Sequence, residues 1–174
     1  MATHRAILVT GFSAWGKSRH IHMLFGKARF SATLYAPADP LINGKFLVES
    51  RSNDDVGELK FIDNVRDRYA RGGAKVRKAD LIAAFCPARG LQNDSVRILQ
   101  SKPFSKFEEI HVLLLRYKWD WHAELRLSEV DAYVKQDARV KTFVIDQDKA
   151  FTTDQNRLTA RDAAIRSHLQ GYYP

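Results

Sequence analysis

A single cysteine, Cys86, stands in a chain of 174 residues, so no internal disulfide can form and a reducing compartment is expected. Zinc is not expected, for the same shortage of thiolates. Six histidines remain, but His20 and His22 are two residues apart, so on a helix they diverge and do not converge on one metal. No apolar run approaches the length of a membrane span. Residues 1–5 lead straight into an apolar strand pattern, which leaves no room for a signal peptide. Position 2 is Ala and the tail from Gly171 to Pro174 has no cysteine, so no lipid anchor is expected. Repeats, low-complexity segments and interdomain linkers are also missing. The expectation is one cytoplasmic domain over residues 1–174, large enough to bury a real core. Acidic side chains are the minority: 28 Lys and Arg against 20 Asp and Glu give a net charge of +8. The densest basic stretch runs from Arg66 to Lys78. It reads either as a solvated helix face and loop or as a surface for an anionic partner, nucleic acid or lipid. Aromatic residues are sparse there, so stacking on single-stranded bases is not expected.

What the chain does have is Gly11-Phe12-Ser13-Ala14-Trp15-Gly16-Lys17-Ser18, a full match to G-x-x-x-x-G-K-S, the phosphate-binding loop pattern. An apolar strand run, Ala6–Val9, precedes it, and a helix pattern with Ile21, Leu24 and Phe25 on one side follows. A glycine bend leaves backbone N–H groups free at a helix N-terminus, where positive charge favours phosphate. Lys17 reaches the outer phosphates and Ser18 offers a hydroxyl to Mg²⁺. Trp15 reads better as packing beneath the loop than as stacking on a ligand.

Beyond the loop, strands and helices alternate. Thr33–Tyr35 and Lys45–Glu49, with the tight-turn pair Asn43-Gly44 between them, predict an antiparallel edge hairpin limited by Pro37 and Pro40. Ser52 to Gly57 reads as loop. Leu59, Ile62, Arg66 and Tyr69 recur at helical spacing and Gly72-Gly73 closes that helix. Leu81–Phe85 and Ile110–Leu115 are apolar runs of buried-strand type. Leu91–Gln100 predicts a helix with Val96 and Leu99 inward. Ser128-x-x-Asp131 has a capping-box start. Thr142–Ile145 is the last strand, and a helix runs from about Thr153 to Gln170 with Leu158, Ile165 and Leu169 on one stripe. The pattern is α/β with a mostly parallel sheet, and ligands then sit at the carboxyl ends of the strands.

Two weaker motifs follow in order. Asp54-x-x-Gly57 lies beyond the strand at 46–48, and Tyr117-Lys118-Trp119-Asp120 lies directly after 110–115. With the loop at 11–18, their order and separation resemble the small GTPases of the Ras and Arf type. That resemblance implies a three-layer P-loop NTPase fold, a mostly parallel sheet with one antiparallel edge hairpin, and Mg²⁺-dependent binding of GTP or ATP. It implies that Gly11 to Ser18 hold phosphates, that Ser31 or Thr33 completes the metal shell begun by Ser18, and that Asp54, or Asp55 in the adjacent register, binds Mg²⁺ through water. Gly57 would sense the γ-phosphate, Lys118 and Asp120 would hold the base, and Asp148-Lys149 would support it. Segments near 31–38 and 54–71 would order with triphosphate and engage a protein effector or regulator.

The chain departs from that pattern at Tyr117, where the family has Asn or Thr, and at Glu58, where it has the water-orienting Gln. Ser13 and Ala14 replace glycines. Lys17 and Glu58 are then the catalytic pair, with slow intrinsic hydrolysis expected. Two rivals stay open: a small-molecule or nucleotide kinase on the same loop, with Arg89, Arg97 and Arg116 as lid cations, and a nucleotide-dependent interaction protein without turnover.

Overall fold

The computed structural model describes residues 3–120 and 124–174. Five strands form the sheet: β1 (Arg5–Thr10), β2 (Phe46–Glu49), β3 (Asp80–Phe85), β4 (Glu109–Leu115) and β5 (Val140–Ile145). Their order is β2-β3-β1-β4-β5 and every pairing is parallel. The chain is therefore α/β. Leu8 of the central strand lies between Ala83 and Val112. The three inner strands read as apolar runs, broken only by His111 in β4, because both sheet faces are covered, and Ala6, Ile7, Leu8, Leu81 to Phe85 and Val112 are all closed to solvent.

The helices are α1 (Lys17–Phe25), α2 (Asn53–Val56), α3 (Glu58–Gly72), α4 (Ser95–Gln100), α5 (Leu127–Val134) and α6 (Asp154–Tyr172), with 3₁₀ turns at Gly73–Lys75 and Gln147–Ala150. Helix α1 lies against β1, β3 and α6, while α3 lies against β2 and α4 against α5. Phe61 of α3 packs on Phe85 and Phe104. No helix among the described residues is long and apolar enough to cross a membrane.

Four local expectations change. The edge hairpin contracts to one antiparallel bridge, Tyr35 with Phe46, which exchange both backbone bonds at 2.9 Å. The intervening amides go elsewhere: Ala38 donates to the Leu24 carbonyl and Asn43 to that of Tyr173, both at 2.8 Å. The stretch read as loop at 52–57 contains α2, because Ser52 and Asp55 cap each other reciprocally. Helix α4 starts only at Ser95, since a tight turn through Gly90 and Asn93 occupies the preceding residues and Asp94 caps the helix by accepting from the Arg97 amide; Ile98 joins Leu99 inside in place of Val96. Helix α5 begins before Ser128, with Arg126 at the cap position and no side-chain cap. Helix α6 starts as expected, its Thr153 hydroxyl accepting from the Asn156 amide.

Candidate functional site

Residues 11–16 leave the carboxyl end of β1 between β3 and β4, and the Gly11 amide is pinned to the Phe85 carbonyl at 3.1 Å. The loop turns by two left-handed residues, Ala14 (φ 60°) and Gly16 (φ 84°). At Gly16 the turn suits the residue. Ala14 takes a conformation that costs an L side chain about 1–2 kcal/mol, so a non-glycine residue is held there by its surroundings. Trp15 is buried under the loop and meets Phe12 edge to face. No side chain caps α1, so its first amides lack intrahelical partners.

Lys17 opens α1 and is almost completely buried. Its Nζ donates to the Phe12 carbonyl at 2.7 Å and lies 3.2 Å from Asp54 Oδ2. The ammonium is thus folded back over its own loop and neutralised. The Ser18 hydroxyl donates to the Ser50 carbonyl. Asp55 accepts from the Ser52 amide and hydroxyl as part of the α2 cap. It also borders a cavity of about 230 Å³ over Gly16, Lys17 and Ser18. Of the two adjacent acids, the one on Lys17 is Asp54.

What holds Asp54 there is Asn53, which sequence reasoning passed over. Its side chain accepts from the Cys86 amide at 2.7 Å and donates to the Cys86 carbonyl at 3.0 Å, clamping α2 onto the end of β3. Strand β3 is the neighbour of β1 but ends in Cys86-Pro87 with no acid. Helix α2, reached from edge strand β2, delivers the carboxylate instead. Burial pushes the Cys86 thiol up to about 11, so it is a packing group rather than a nucleophile.

The remaining sequence-derived positions divide. Ser13 and Ala14 stay within the loop. Lys118 pairs with Asp120 at 3.1 Å, and Trp119 between them donates its indole N–H to the Ala14 carbonyl at 3.0 Å, so the 117–120 turn does adjoin the loop. Trp121 lies outside the described residues. Gly57 donates its amide to the Asn53 carbonyl at 3.0 Å, closing α2, and in this arrangement that N–H is not free for a phosphate. Glu58 is buried and grips Arg97 through both carboxylate oxygens, with the Asp94 amide added at 2.8 Å. The Arg97 bond, opposed by burial, holds its carboxyl below the ordinary range. Glu58 therefore anchors α3 to α4. Thr33 is exposed, and the hydroxyl of Ser31 meets Tyr35 rather than Ser18. Lys149 is exposed and Asp148 is buried.

Asp148 is part of a second feature that the sequence reading missed. Arg161 on α6 is fully buried. It donates to Asp148 Oδ2 at 2.9 Å, to the Trp15 carbonyl at 3.0 Å and to the Tyr117 carbonyl. One guanidinium thereby ties the loop, the turn after β4 and the turn after β5. Burial draws its pKa down against the pull of Asp148. The next residue, Asp162, accepts from His20 Nδ1 at 2.6 Å, with Arg19 at 3.3 Å. Burial lowers the His20 pKa. Its Nε2 is buried without a partner, the pattern of a neutral ring with the proton on Nδ1.

The basic stretch disperses. Arg66 pairs with Asp63 and Asp67, Arg68 pairs with Glu49, and Lys78 borders a separate cavity with His4 and Glu108. No protein-family model matches the chain, and no curated protein matches it either.

Proposed function

We propose that residues 11–18 bind the phosphates of a nucleoside triphosphate together with Mg²⁺, within a three-layer P-loop NTPase fold, and that the protein turns over slowly, as a small GTPase-like switch does. The observation that carries this is the buried Lys17 ammonium. It sits at the first residue of α1, over its own loop, and is held by a carbonyl and by Asp54. A lysine costs free energy to bury, and a phosphate is a stronger partner than the Phe12 carbonyl it now contacts. The loop's two left-handed residues, Ala14 and Gly16, flank Trp15 and bend the chain as anion-cradling turns do, and the uncapped start of α1 adds its dipole.

The Ser18 hydroxyl and Asp54 carboxylate are hard oxygen donors of the kind Mg²⁺ takes alongside substrate phosphates. The ion would neutralise charge on those phosphates. Among the described residues no cluster of three metal-binding side chains exists, and a site completed by phosphate oxygens needs none. Lys118 and Asp120 are the groups for the base, brought near through Trp119. The engagement of Glu58 by Arg97 supports slow hydrolysis, because the residue at the water-orienting position has both oxygens in use.

Titration with ATP, GTP and their diphosphates, with and without Mg²⁺, tests this. Triphosphate binding that needs Mg²⁺ is expected, and GTP over ATP supports the switch. ATP preference with phosphate transfer to an acceptor favours the kinase reading. No binding of any nucleotide refutes both.

A further inference from the structure

A third cavity, of about 580 Å³, opens between the segment at 30–32, the end of β2 and the face of α3. We propose that it binds a small-molecule phosphomonoester. The site is separate from the loop at 11–18 and stands independently of the nucleotide reading, although Ser50, which accepts from Ser18, directly precedes Arg51 in this cavity's wall.

The lining of α3 explains the chemistry. Lys60, Asn64, Arg68 and Arg71 recur at helical spacing, so one face of the helix turns a polar and cationic stripe toward the cavity. Arg68 forms the floor. It donates to Glu49 Oε2 at 2.9 Å and to the Phe30 carbonyl at 3.1 Å, joining two walls. Glu49 is buried, and its other oxygen accepts from the Arg51 amide at 3.0 Å. Its charge is therefore already answered.

The side chains of Arg51, Lys60 and Arg71 have no ion pair among the described residues. The buried Nδ2 of Asn64 is a donor with no acceptor. Four cations face two carboxylates, Glu49 and Asp67, and Asp67 is shared with Arg66 outside. The surplus of two positive charges matches a phosphomonoester, which carries about −1.5 to −2 at neutral pH. Three of the cations are guanidinium groups, and the two without an ion pair among the described residues, Arg51 and Arg71, are forks suited to phosphate oxygens. The volume lies within the range of small-molecule sites. A nucleic acid or an anionic membrane would need a continuous basic surface, and Lys78 lies at a different cavity.

The test is calorimetric titration of the full chain with AMP, ribose 5-phosphate, adenosine and inorganic phosphate, at low and moderate salt. Variants are Lys17→Ala, the double Lys60→Ala/Arg71→Ala, and Arg71→Glu, with circular dichroism to confirm folding. AMP or ribose 5-phosphate should bind at one site, and which is tighter distinguishes a nucleotide from a sugar phosphate. Adenosine should bind at least about tenfold more weakly, as loss of charge-assisted bonds demands. Lys17→Ala should leave this binding unchanged, while the double variant and Arg71→Glu should each weaken it by about tenfold or more. Binding lost in Lys17→Ala but kept in the double variant overturns the proposal, because the ligand is then in the loop. Adenosine binding as well as AMP, or no phosphoester binding at millimolar concentration, overturns it too.

Discussion

Replacing Arg161 by Met should be among the most damaging single changes outside the apolar core. Met reproduces the aliphatic stem of Arg but not its guanidinium, so the buried partners lose their donors and the space of the charged end is left to collapse. In the parent the guanidinium satisfies the Asp148 carboxylate and two main-chain carbonyls, of Trp15 and Tyr117, in a site closed to solvent. Arg161→Met leaves Asp148 buried and unpaired, with its other oxygen, Oδ1, already lacking a partner. Breaking such a pair costs about 3–5 kcal/mol, against a total stability for a domain of roughly 5–15 kcal/mol.

Urea unfolding followed by tryptophan fluorescence reads the effect directly, because Trp15 and Trp119 border the latch. With a slope of about 2 kcal/mol per molar, the midpoint should fall by about 2 M. Asp148→Leu alone should also destabilise, by stranding the guanidinium. Combined with Arg161→Met it should recover much of the loss, because an apolar pair in place of a buried ion pair is often neutral. It should not recover all, since in both variants the Trp15 and Tyr117 carbonyls still lack a donor. A midpoint for Arg161→Met within about 0.3 M of the parent, or fully additive losses in the double variant, refutes the latch.

Two further outcomes follow from the loop and from the opposite end of the sheet. Ala14→Gly should raise stability by about 0.5–1 kcal/mol, since relief of the left-handed strain exceeds the extra freedom glycine gives the unfolded chain; a loss in thermal denaturation would show that Ala14 is not strained. On α6, His168 faces His111 at 3.0 Å, and His111 contacts Glu109 with its other nitrogen. Burial, with the His111 charge second, lowers the His168 pKa to about 4, and burial lowers that of His111 as well. The unfolded chain binds these protons first, so the stability is present above pH ~6.5 and is lost as pH falls toward 4. Discounted for partial exposure, His168 should account for about 2 kcal/mol, read as a urea midpoint that drops between pH 7 and 4.5 and drops less in His168→Gln. Glu109 is held down to about 2, first by Lys141 and then by Arg5, so its own titration lies below this window. Equal midpoint changes in parent and variant would exclude the histidine pair as the cause.

The parallel sheet was legible in the sequence because its central strands are apolar runs, interrupted only at His111, and the helices between them carry apolar stripes. The hairpin was not. Asn43-Gly44 signals a turn, but the amides around it find partners on α1 and at Tyr173, and a local turn signal does not compete with those distant acceptors. The loop at 11–18 could be read from eight contiguous residues. Its supports could not, because each depends on residues far apart in the chain: Asn53 on Cys86, Trp119 on Ala14, Arg161 on Trp15. A signal for the last was present. Arg161 and Asp162 fall on the same stripe of α6 as Leu158, Ile165 and Leu169, and a charged pair on a buried stripe points to an interior ion pair. Glu58 shows the converse. Its place in the sequence suggested a catalytic role, while Arg97, 39 residues further on, takes up both of its oxygens.

The most direct measurement is calorimetric titration of Mg²⁺-triphosphate, ATP and GTP in turn, into the parent and into Lys17→Ala under identical conditions. Binding to the parent should require Mg²⁺ and weaken by about a hundredfold in the variant, as the loss of a desolvated charge-assisted contact to phosphate implies. Equal affinity in the two proteins, with folding intact, would contradict the assignment of the loop to phosphate.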